Sequence, residues 1–233
     1  MAIDFVTLGL DNVLFETEDA HFLACNHAFE KCGLSHHWSI EQFRSAALVH
    51  GAAGALGVVT EKLGAVFHKV DAAALSIEKN RVFHEMACQG RIALHAGCAS
   101  LIDEALEDGC KLAIVTDMPA HTVAVLLEQA FKEKVTGMFA AIASAVDYDC
   151  PVDNNAYHLV LRTVGADPWR SAAIESAAPG LLAAQRAGLW TLAATPLADD
   201  RQHRFISFDA LDALKSASRI HPSFARSTAV AWA

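Results

Sequence analysis

Between residues 92 and 194, short apolar stretches alternate with amphipathic ones, and only a few residues separate each stretch from the next. The apolar stretches, such as residues 111–116, have the length and composition of buried strands, whereas the amphipathic ones have helical spacing. Strands separated by helices pair in parallel, because each helix crosses over the sheet between them. The alternation therefore predicts a three-layer, doubly wound α/β fold with a parallel sheet.

The elements of this α/β part are predicted from apolar runs and from the positions of glycine and proline. The predicted strands are residues 3–10, 111–116, 140–145, 172–175, 190–194 and 205–207. The predicted helices are residues 98–108, 119–130, 155–164, 179–187 and 211–215. The first strand is followed by a polar turn at Asp11, which places this carboxylate at the edge where open α/β sheets bind ligands.

The segment between the first strand and residue 91 has helical spacing and contains no strand pattern. Its first helix is predicted at residues 18–32, and later helical pieces have Thr60 or Asp71 as candidate N-caps. Breaks are predicted at Gly51, Gly54, Gly57 and Gly64. We predict a core of residues 1–15 and 91–215, a helical cap of residues 16–90 that covers the strand ends, and a tail of residues 216–233.

The composition argues against several classes of protein. A net charge of −9 disfavours binding to nucleic acid or to anionic membrane surfaces, and no apolar run suggests a membrane span. The six cysteines form no C-x-x-C pair, so we expect reduced thiols in a cytoplasmic protein. The twelve histidines are scattered, and the adjacent pair His36-His37 has no partner at the spacing of metal ligands.

The turn after the first strand carries a motif. Residues 9–18 are Gly-Leu-Asp-Asn-Val-Leu-Phe-Glu-Thr-Glu. This stretch resembles motif I of the haloacid dehalogenase (HAD) superfamily, which is D-x-D-G-T-L followed by an acid and a small hydroxyl residue. The resemblance assigns Asp11 to the acid/base position and Gly9 to the position of the nucleophilic aspartate.

Three later stretches resemble the remaining HAD motifs. In motif II, Thr116 supplies the hydroxyl that bonds a phosphoryl oxygen, and Asp117 stands where the family usually has a neutral residue. In motif III, Cys150 takes the place of the lysine that neutralises charge. In motif IV, Glu175 is retained and Ser176 replaces the metal-binding aspartate. The resemblance thus implies a substrate site at the two motif II residues.

The resemblance covers nearly the whole chain, to about residue 196. Within the superfamily the chain resembles the CbbY-like branch, which includes xylulose-1,5-bisphosphate phosphatases, and it lies near the β-phosphoglucomutases and phosphoglycolate phosphatases. The matching residues include Glu16-Thr17-Glu18, Asn26-His27-Ala28-Phe29 and Gly180-Leu181. The resemblance implies a small phosphorylated ligand or another anion as the binding partner.

The family reaction needs a nucleophilic aspartate, an acid/base, a bound Mg²⁺ ion and a lysine. Gly9, Cys150 and Ser176 lack the groups that their positions require. We therefore expect a catalytically inactive HAD-like protein that acts as a binding or regulatory module. No cofactor is expected, and Mg²⁺ would bind only if the ancestral site of Asp11, Glu175 and Ser176 were retained.

Alternatives remain at the level of function and of single residues. The chain is alternatively a residual or altered phosphatase acting on small phosphorylated metabolites, or a structural subunit of an oligomer. Asp11 is an acid/base or, as we favour, a turn former, and Thr116 is with equal weight a phosphate ligand or a strand-end hydroxyl. Glu175 is a metal ligand or, as we favour, a hydrogen-bonded residue beneath the site. Cys150 would be a nucleophile only beside a base, and none is evident next to it in the sequence; His21 or His158 could approach it in space, but we favour a structural role for both.

Overall fold

The computed structural model describes residues 3–64, 71–144 and 154–194 of the chain. Its five strands form one sheet in the order β3-β2-β1-β4-β5, and every neighbouring pair is parallel. The strands are β1 (Phe5–Leu8), β2 (Lys111–Val115), β3 (Ala141–Ala143), β4 (Ser171–Glu175) and β5 (Trp190–Ala193). The predicted doubly wound parallel sheet is confirmed.

Strand β1 occupies the centre of the sheet because it is apolar on both faces. All four of its residues are buried, and Phe5 packs into the hydrophobic cluster on one face while Val6 and Leu8 pack into the cluster on the other. A strand buried on both faces is typical of parallel sheets. The hydroxyl of Thr7 donates a hydrogen bond to the carbonyl of Ala172 on the neighbouring strand at 3.3 Å, which satisfies a polar group in the core.

Helices cover both faces of this sheet. They are α4 (Ala96–Glu107), α5 (Ala120–Phe131), the short α6 (Val135–Met138), α7 (Asn154–Val164) and α8 (Ala178–Arg186). Residues of α4 and α5, among them Ile102 and Leu126, pack on the face of Val6 and Leu8. Residues of α7 and α8 pack on the face of Phe5, so the core has the three layers that the alternation predicts.

The segment between β1 and α4 is helical, as predicted. Its helices are α1 (Glu18–Lys31), α2 (Ile40–Gly64) and α3 (Ala72–Cys88). They enclose a third hydrophobic cluster that contains Phe29, Trp38 and Phe43. The buried amide of Asn26 holds the loop between α1 and α2, because it accepts a hydrogen bond from the Trp38 N–H at 2.8 Å and donates one to the Trp38 carbonyl at 3.2 Å.

The predicted glycine breaks are partly wrong. Helix α2 continues through Gly54 and Gly57, and only Gly51, with φ of 73°, leaves the helical conformation and kinks it. The residues between Gly54 and Gly57 are buried in the cluster of the helical insert, and this packing outweighs the low helix propensity of glycine. Thr60 therefore lies inside α2 rather than at the start of a helix. Asp71 is the N-cap of α3, and its carboxylate accepts hydrogen bonds from two backbone N–H groups.

Other boundaries differ by a few residues. The first strand is confined to Phe5–Leu8 rather than residues 3–10, and α6 was not predicted. The predicted strand at residues 205–207, the helix at 211–215 and the tail at 216–233 lie outside the described residues. None of the described helices has the length and apolar character that a membrane crossing requires.

Candidate functional site

The carboxyl ends of three neighbouring strands lie at one edge of the sheet and carry most of the residues that the motifs single out. They are Gly9 and Asp11 after β1, Thr116 and Asp117 after β2, and Glu175 and Ser176 at the end of β4. Helices α1 and α3 of the insert pack together above this edge. Cys150, the residue at the lysine position, lies outside the described residues.

The carboxyl group of Glu175 turns inward and fills the space between two glycines. A Cβ atom added to Gly9 would lie 2.7 Å from Oε2 of Glu175, and one added to Gly180 would lie 2.5 Å from the same oxygen. The hydroxyl of Tyr157, a buried residue of α7, donates a hydrogen bond to Oε1. Glu175 therefore occupies the place that a side chain at position 9 would need.

Burial decides the charge of this carboxyl group. It raises the pKa of Glu175 to about 8, and the nearby carboxylates of Asp117 and Asp11 act in the same direction, whereas the hydrogen bond from Tyr157 opposes them. Glu175 is consequently uncharged at neutral pH. An uncharged carboxyl group is a poor nucleophile and a poor ligand for a hard cation.

The turn after β1 fixes the position of α1. Asn12 adopts a left-handed conformation with φ of 53°, and its side-chain oxygen accepts hydrogen bonds from the N–H groups of Thr17 and Glu18 at 3.2 and 3.1 Å. These N–H groups belong to the start of α1 and have no partner within the helix. The first turns of α1 are thereby tied to the motif I turn, and His21 faces back toward Asp11.

Asp11 and His21 form a close pair, with 2.7 Å between Oδ1 of the carboxylate and Nε2 of the ring. Burial and the charge of Lys79 hold the pKa of His21 below its ordinary value, so the ring is neutral at pH 7. Burial alone raises the pKa of Asp11, but the facing His21 outweighs it and holds that pKa below its ordinary value. The pair is thus a carboxylate that accepts a hydrogen bond from a neutral imidazole.

A cleft between the insert and the sheet edge opens onto this pair. It is lined by Asp11, His21, Lys79, Phe83, Asp117 and Thr122 together with a few further residues, and it encloses about 50 Å³. That is room for a few water molecules and far below the roughly 300 Å³ of a small metabolite pocket. The helices of the insert lie close to the sheet edge in this arrangement.

Lys79 is the positively charged member of the described cleft lining. It lies on the buried side of α3 and is only 5% exposed, with Nζ 5.5 Å from the centre of the Phe83 ring. Phe83 in turn stacks on His21 with 4.1 Å between ring centres. A buried ammonium group needs a nearby negative charge, and the charge of Lys79 acts on both Asp11 and Asp117.

Asp117 adds a second acid to the cleft. Burial, together with the charge of Asp11, raises the pKa of Asp117 to about 6. Most of this side chain is therefore ionised at pH 7 and becomes neutral in mild acid. Two carboxylates and one ammonium group leave the described lining with an excess of negative charge at neutral pH, so it would hold a phosphate only weakly, through Lys79.

A model of the haloacid dehalogenase-like hydrolase family matches residues 3–188, which is most of the chain. The chain belongs to this family. Among curated proteins it is 30% identical to Protein CbbY of Rhodobacter capsulatus over 191 residues, which cover 81% of this chain and 84% of that protein. The family assignment made from the four motifs is thereby confirmed.

Solved structures of the same family share the fold. The structure of CbbY from Rhodobacter sphaeroides in complex with phosphate has a TM-score of 0.72 and 26% identity, covering 90% of this chain and 96% of that one. A mutant of the same protein in complex with xylulose-(1,5)bisphosphate has a TM-score of 0.70 and 27% identity, covering 84% and 87% of the two chains.

HAD-like hydrolases generally use Mg²⁺, and the described residues at the expected position fit this ion poorly. The hydroxyl of Ser176 donates a hydrogen bond to the backbone carbonyl of Asp11 at 2.6 Å and so engages an oxygen that a metal would need. Glu175 is uncharged and turned toward Gly9, which itself has no carboxylate. Within the described ranges, no three acidic, histidine or cysteine side chains are grouped as metal ligands.

The other substrate-site residue, Thr116, is 4% exposed and faces its own turn. Its hydroxyl accepts a hydrogen bond from the backbone N–H of Met118 at 3.1 Å. This contact engages one of the N–H groups at the strand end, which are common donors to bound anions. Asp117 lines the cleft, and Thr116 is buried in the same turn.

Lys79 and Tyr157 were not identified as site residues from the sequence, and His21 was considered there only as a possible base for Cys150, not as a partner of Asp11. Lys79 leaves a visible signal, because it shares the apolar side of α3 with Leu75, Val82, Phe83 and Met86. A lysine among the apolar residues of a helix face would bury an uncompensated charge unless it is directed at a buried acidic partner. His21 and Tyr157 leave no comparable signal, since their partners lie on elements remote in sequence.

Proposed function

We propose that this HAD-like protein is a pseudoenzyme, which binds a small anionic or phosphorylated ligand in the cleft and does not hydrolyse phosphate esters by the family route. The observation that carries the proposal is the position of Glu175 against Gly9. The missing nucleophile has not left an empty space for substrate or metal. A neutral side chain fills that space and is held there by Tyr157.

The inferred loss of activity follows from the few contributions to catalysis that remain at the site. Without a covalent nucleophile, a hydrolase retains only positioning and electrostatic stabilisation of the transition state. The electrostatic part is reduced too, because Asp11 and Asp117 both place negative charge in the cleft. The negative charge that develops on a phosphoryl group in the transition state would therefore gain little stabilisation there at neutral pH.

The ligand class is inferred from one cation and from the relatives. Lys79 projects its charge into the cleft from the insert, where an anion can reach it when the helices move apart. The related CbbY from Rhodobacter sphaeroides has been crystallised with phosphate and with xylulose-(1,5)bisphosphate. Because the cleft is too small for a sugar bisphosphate, binding requires α1 and α3 to separate from the sheet edge.

The test combines turnover with binding. Phosphate release from a panel of sugar phosphates and bisphosphates with Mg²⁺ should equal the release by the Asp11→Asn variant, which lacks the acid/base carboxylate. Calorimetry with xylulose-1,5-bisphosphate should detect binding that Lys79→Met weakens. Specific turnover by the unmodified protein would refute the loss of activity, and binding that Lys79→Met leaves unchanged would refute the ligand site.

The Asp11–His21 pair supports a second candidate function, an altered hydrolase. An ionised carboxylate hydrogen-bonded to a neutral imidazole, at the edge of a cleft large enough for water, is able to accept a proton from a water molecule. Such an enzyme would attack its substrate with water rather than with a side chain. Turnover that is present in the unmodified protein and lost in Asp11→Asn would favour this function.

A further inference from the structure

A second group of reactive side chains lies on the outer side of the contact between α3 and α5. The sulfur of Cys88, the last residue of α3, lies 3.5 Å from Nε2 of His84, one turn earlier in the same helix. The other ring nitrogen of His84, Nδ1, lies 3.0 Å from the hydroxyl of Thr122 on α5. His121 packs its ring edge-on against His84, with 4.7 Å between ring centres, and fixes the orientation of the ring.

The surroundings of Thr122 determine which ring nitrogen carries the proton. Thr122 is 2% exposed, and Nδ1 of His84 is the partner of its hydroxyl among the described residues. A buried hydroxyl that donated to nothing would be costly, so the hydroxyl donates to Nδ1. The proton of the neutral ring then resides on Nε2, and this N–H points at the sulfur of Cys88.

We propose that Cys88 is a modification site, a thiol that His84 activates toward peroxides and carbon electrophiles. Cys88 is exposed, so a reagent can reach it from solvent. A ring N–H directed at the sulfur stabilises the negative charge that the thiolate carries during its attack. The group is separate from the site around Asp11, and Thr122 is the one described residue that takes part in both.

The reactions are simple displacements at an electrophilic atom. With hydrogen peroxide, the thiolate of Cys88 attacks one oxygen, the O–O bond breaks, and hydroxide leaves, so sulfur is oxidised by two electrons to a sulfenic acid while peroxide is reduced. With iodoacetamide, a C–S bond forms as iodide leaves. In both cases the thiol proton passes to water, because Nε2 of His84 already carries its own proton.

Cys32 provides a matched control within the same protein. It too is exposed, and it caps the C-terminus of α1 as Cys88 ends α3, so both sulfurs experience the unfavourable negative end of a helix. Cys32 has no histidine partner among the described residues. Any excess reactivity of Cys88 over Cys32 is therefore a measure of the effect of His84.

The other described cysteines are not competitors for the reagent. Cys25, Cys98 and Cys110 are buried, and burial raises the pKa of Cys25 to about 11 and that of Cys98 to about 12. Buried thiols with so little thiolate at neutral pH react slowly. A measurement that resolves each cysteine by peptide mass spectrometry also separates Cys150 from the comparison.

The experiment measures the modification rate of each cysteine in the full chain at pH 7. Cys88 should react with iodoacetamide at least about fivefold faster than Cys32, which is the effect of one ordinary hydrogen bond to the sulfur. After brief exposure to peroxide, dimedone should label Cys88 as the principal sulfenic acid. His84→Asn keeps a polar group near Thr122 and removes the N–H from the sulfur, so the rate at Cys88 should fall to that of Cys32.

His84→Gln serves as the conservative variant, because its amide N–H reaches the position of Nε2 and should restore part of the rate. Thermal denaturation of both variants checks that they remain folded. Equal rates at Cys88 and Cys32 in the unmodified protein would overturn the proposal without any variant. A rate at Cys88 that does not change in a folded His84→Asn protein would overturn it as well.

Discussion

Oε2 of Glu175 lies 2.7 Å from the point at which a side chain on Gly9 would begin. The two residues are thus coupled: the glycine makes room for the glutamate, and a larger residue at position 9 would have to displace the tip of the glutamate side chain. The same oxygen lies 2.5 Å from the corresponding point on Gly180, so the carboxyl group is held between two backbones. This contact connects the absence of a carboxylate at position 9 with the inward position of the Glu175 carboxyl group.

Gly9→Ala should therefore lower the free energy of unfolding by about 1–3 kcal/mol, the usual cost of overpacking a core. The added methyl group forces the tip of Glu175 aside and breaks its hydrogen bond with Tyr157. Urea denaturation followed by circular dichroism measures the change. In the double variant Gly9→Ala/Glu175→Ala the methyl group meets no carboxyl, so the two effects should be less than additive.

Gly57→Ala is the matched control for this prediction. Gly57 lies inside α2, and a Cβ atom added there meets nothing within 4 Å. Alanine has the higher helix propensity, so this variant should be more stable than the parent by up to about 1 kcal/mol. If Gly9→Ala were as stable as the parent, Glu175 would have to swing away from Gly9 without cost.

Glu175→Gln should remove a pH-dependent loss of stability. Folding raises the pKa of Glu175 from 4.5 to about 8, so between these values the folded protein keeps a proton that the unfolded chain has lost. The contribution of the neutral side chain is complete below pH 4.5 and is lost as the pH rises to 8. Because glutamine does not titrate, the free energy of unfolding of the variant, relative to that of the parent, should rise by a few kcal/mol between pH 5 and pH 9.

Denaturation of both proteins at pH 5, 7 and 9 provides the measurement, since other titrating groups contribute to each protein alike. Glutamine keeps an oxygen that accepts the hydrogen bond from Tyr157, so the contact itself is preserved. A constant difference in stability over this pH range would mean that Glu175 is ionised in the folded state.

The sheet could be predicted from the sequence because each strand is marked by an apolar run in its own residues. The apolar run at residues 111–116 corresponds to Lys111–Val115, and the order of elements follows from strand and helix lengths alone. The breaks predicted at Gly54 and Gly57 were wrong because a buried contact, which local propensity does not contain, maintains the helix.

The site could be predicted only in part, because some of its contacts join elements that are remote in sequence. The motifs placed Asp11, Asp117 and Glu175 at one edge of the sheet, since the positions follow strand ends. The inward turn of Glu175 depends on Tyr157, which lies 18 residues earlier on another element. The interpretation of Glu175 as a hydrogen-bonded residue beneath the site agrees with this contact, but neither its partner nor its neutral charge was predictable.

Anion binding in the cleft should become tighter as the pH falls through 6. The pKa of Asp117 is about 6, so acidification removes a negative charge next to any anion held by Lys79. We expect sulfate, which keeps its charge over this range, to bind about tenfold more tightly at pH 5 than at pH 7.5, equivalent to about 1.4 kcal/mol of lost repulsion. Calorimetric titration at constant ionic strength measures it.

Asp117→Asn distinguishes this effect from the titration of His21. The variant should bind sulfate at pH 7.5 as tightly as the parent does at pH 5, and its affinity should change little with pH. If the variant kept the full pH dependence of the parent, the responsible group would be His21, whose protonation also adds positive charge to the cleft.

The last prediction concerns reconstruction of the catalytic groups. The variant with Gly9→Asp, Cys150→Lys and Ser176→Asp together should acquire measurable phosphatase activity with Mg²⁺, whereas each single variant stays near background. Gly9→Asp alone adds a carboxylate that collides with Glu175 and has no cation to balance its charge. Ser176→Asp alone frees the carbonyl of Asp11 from its hydrogen bond but leaves the nucleophile absent.

The three changes support one another through the metal ion. Two new carboxylates create a site for Mg²⁺. The positive charge of a bound Mg²⁺ ion favours the ionised form of Glu175 and draws its carboxylate away from position 9. Parts of one mechanism are strongly non-additive, so the gain should appear only in the combination. Phosphate release from sugar bisphosphates, compared with and without Mg²⁺, measures it. Robust turnover by Gly9→Asp alone would show that Glu175 yields readily and that the remaining groups had kept their catalytic arrangement.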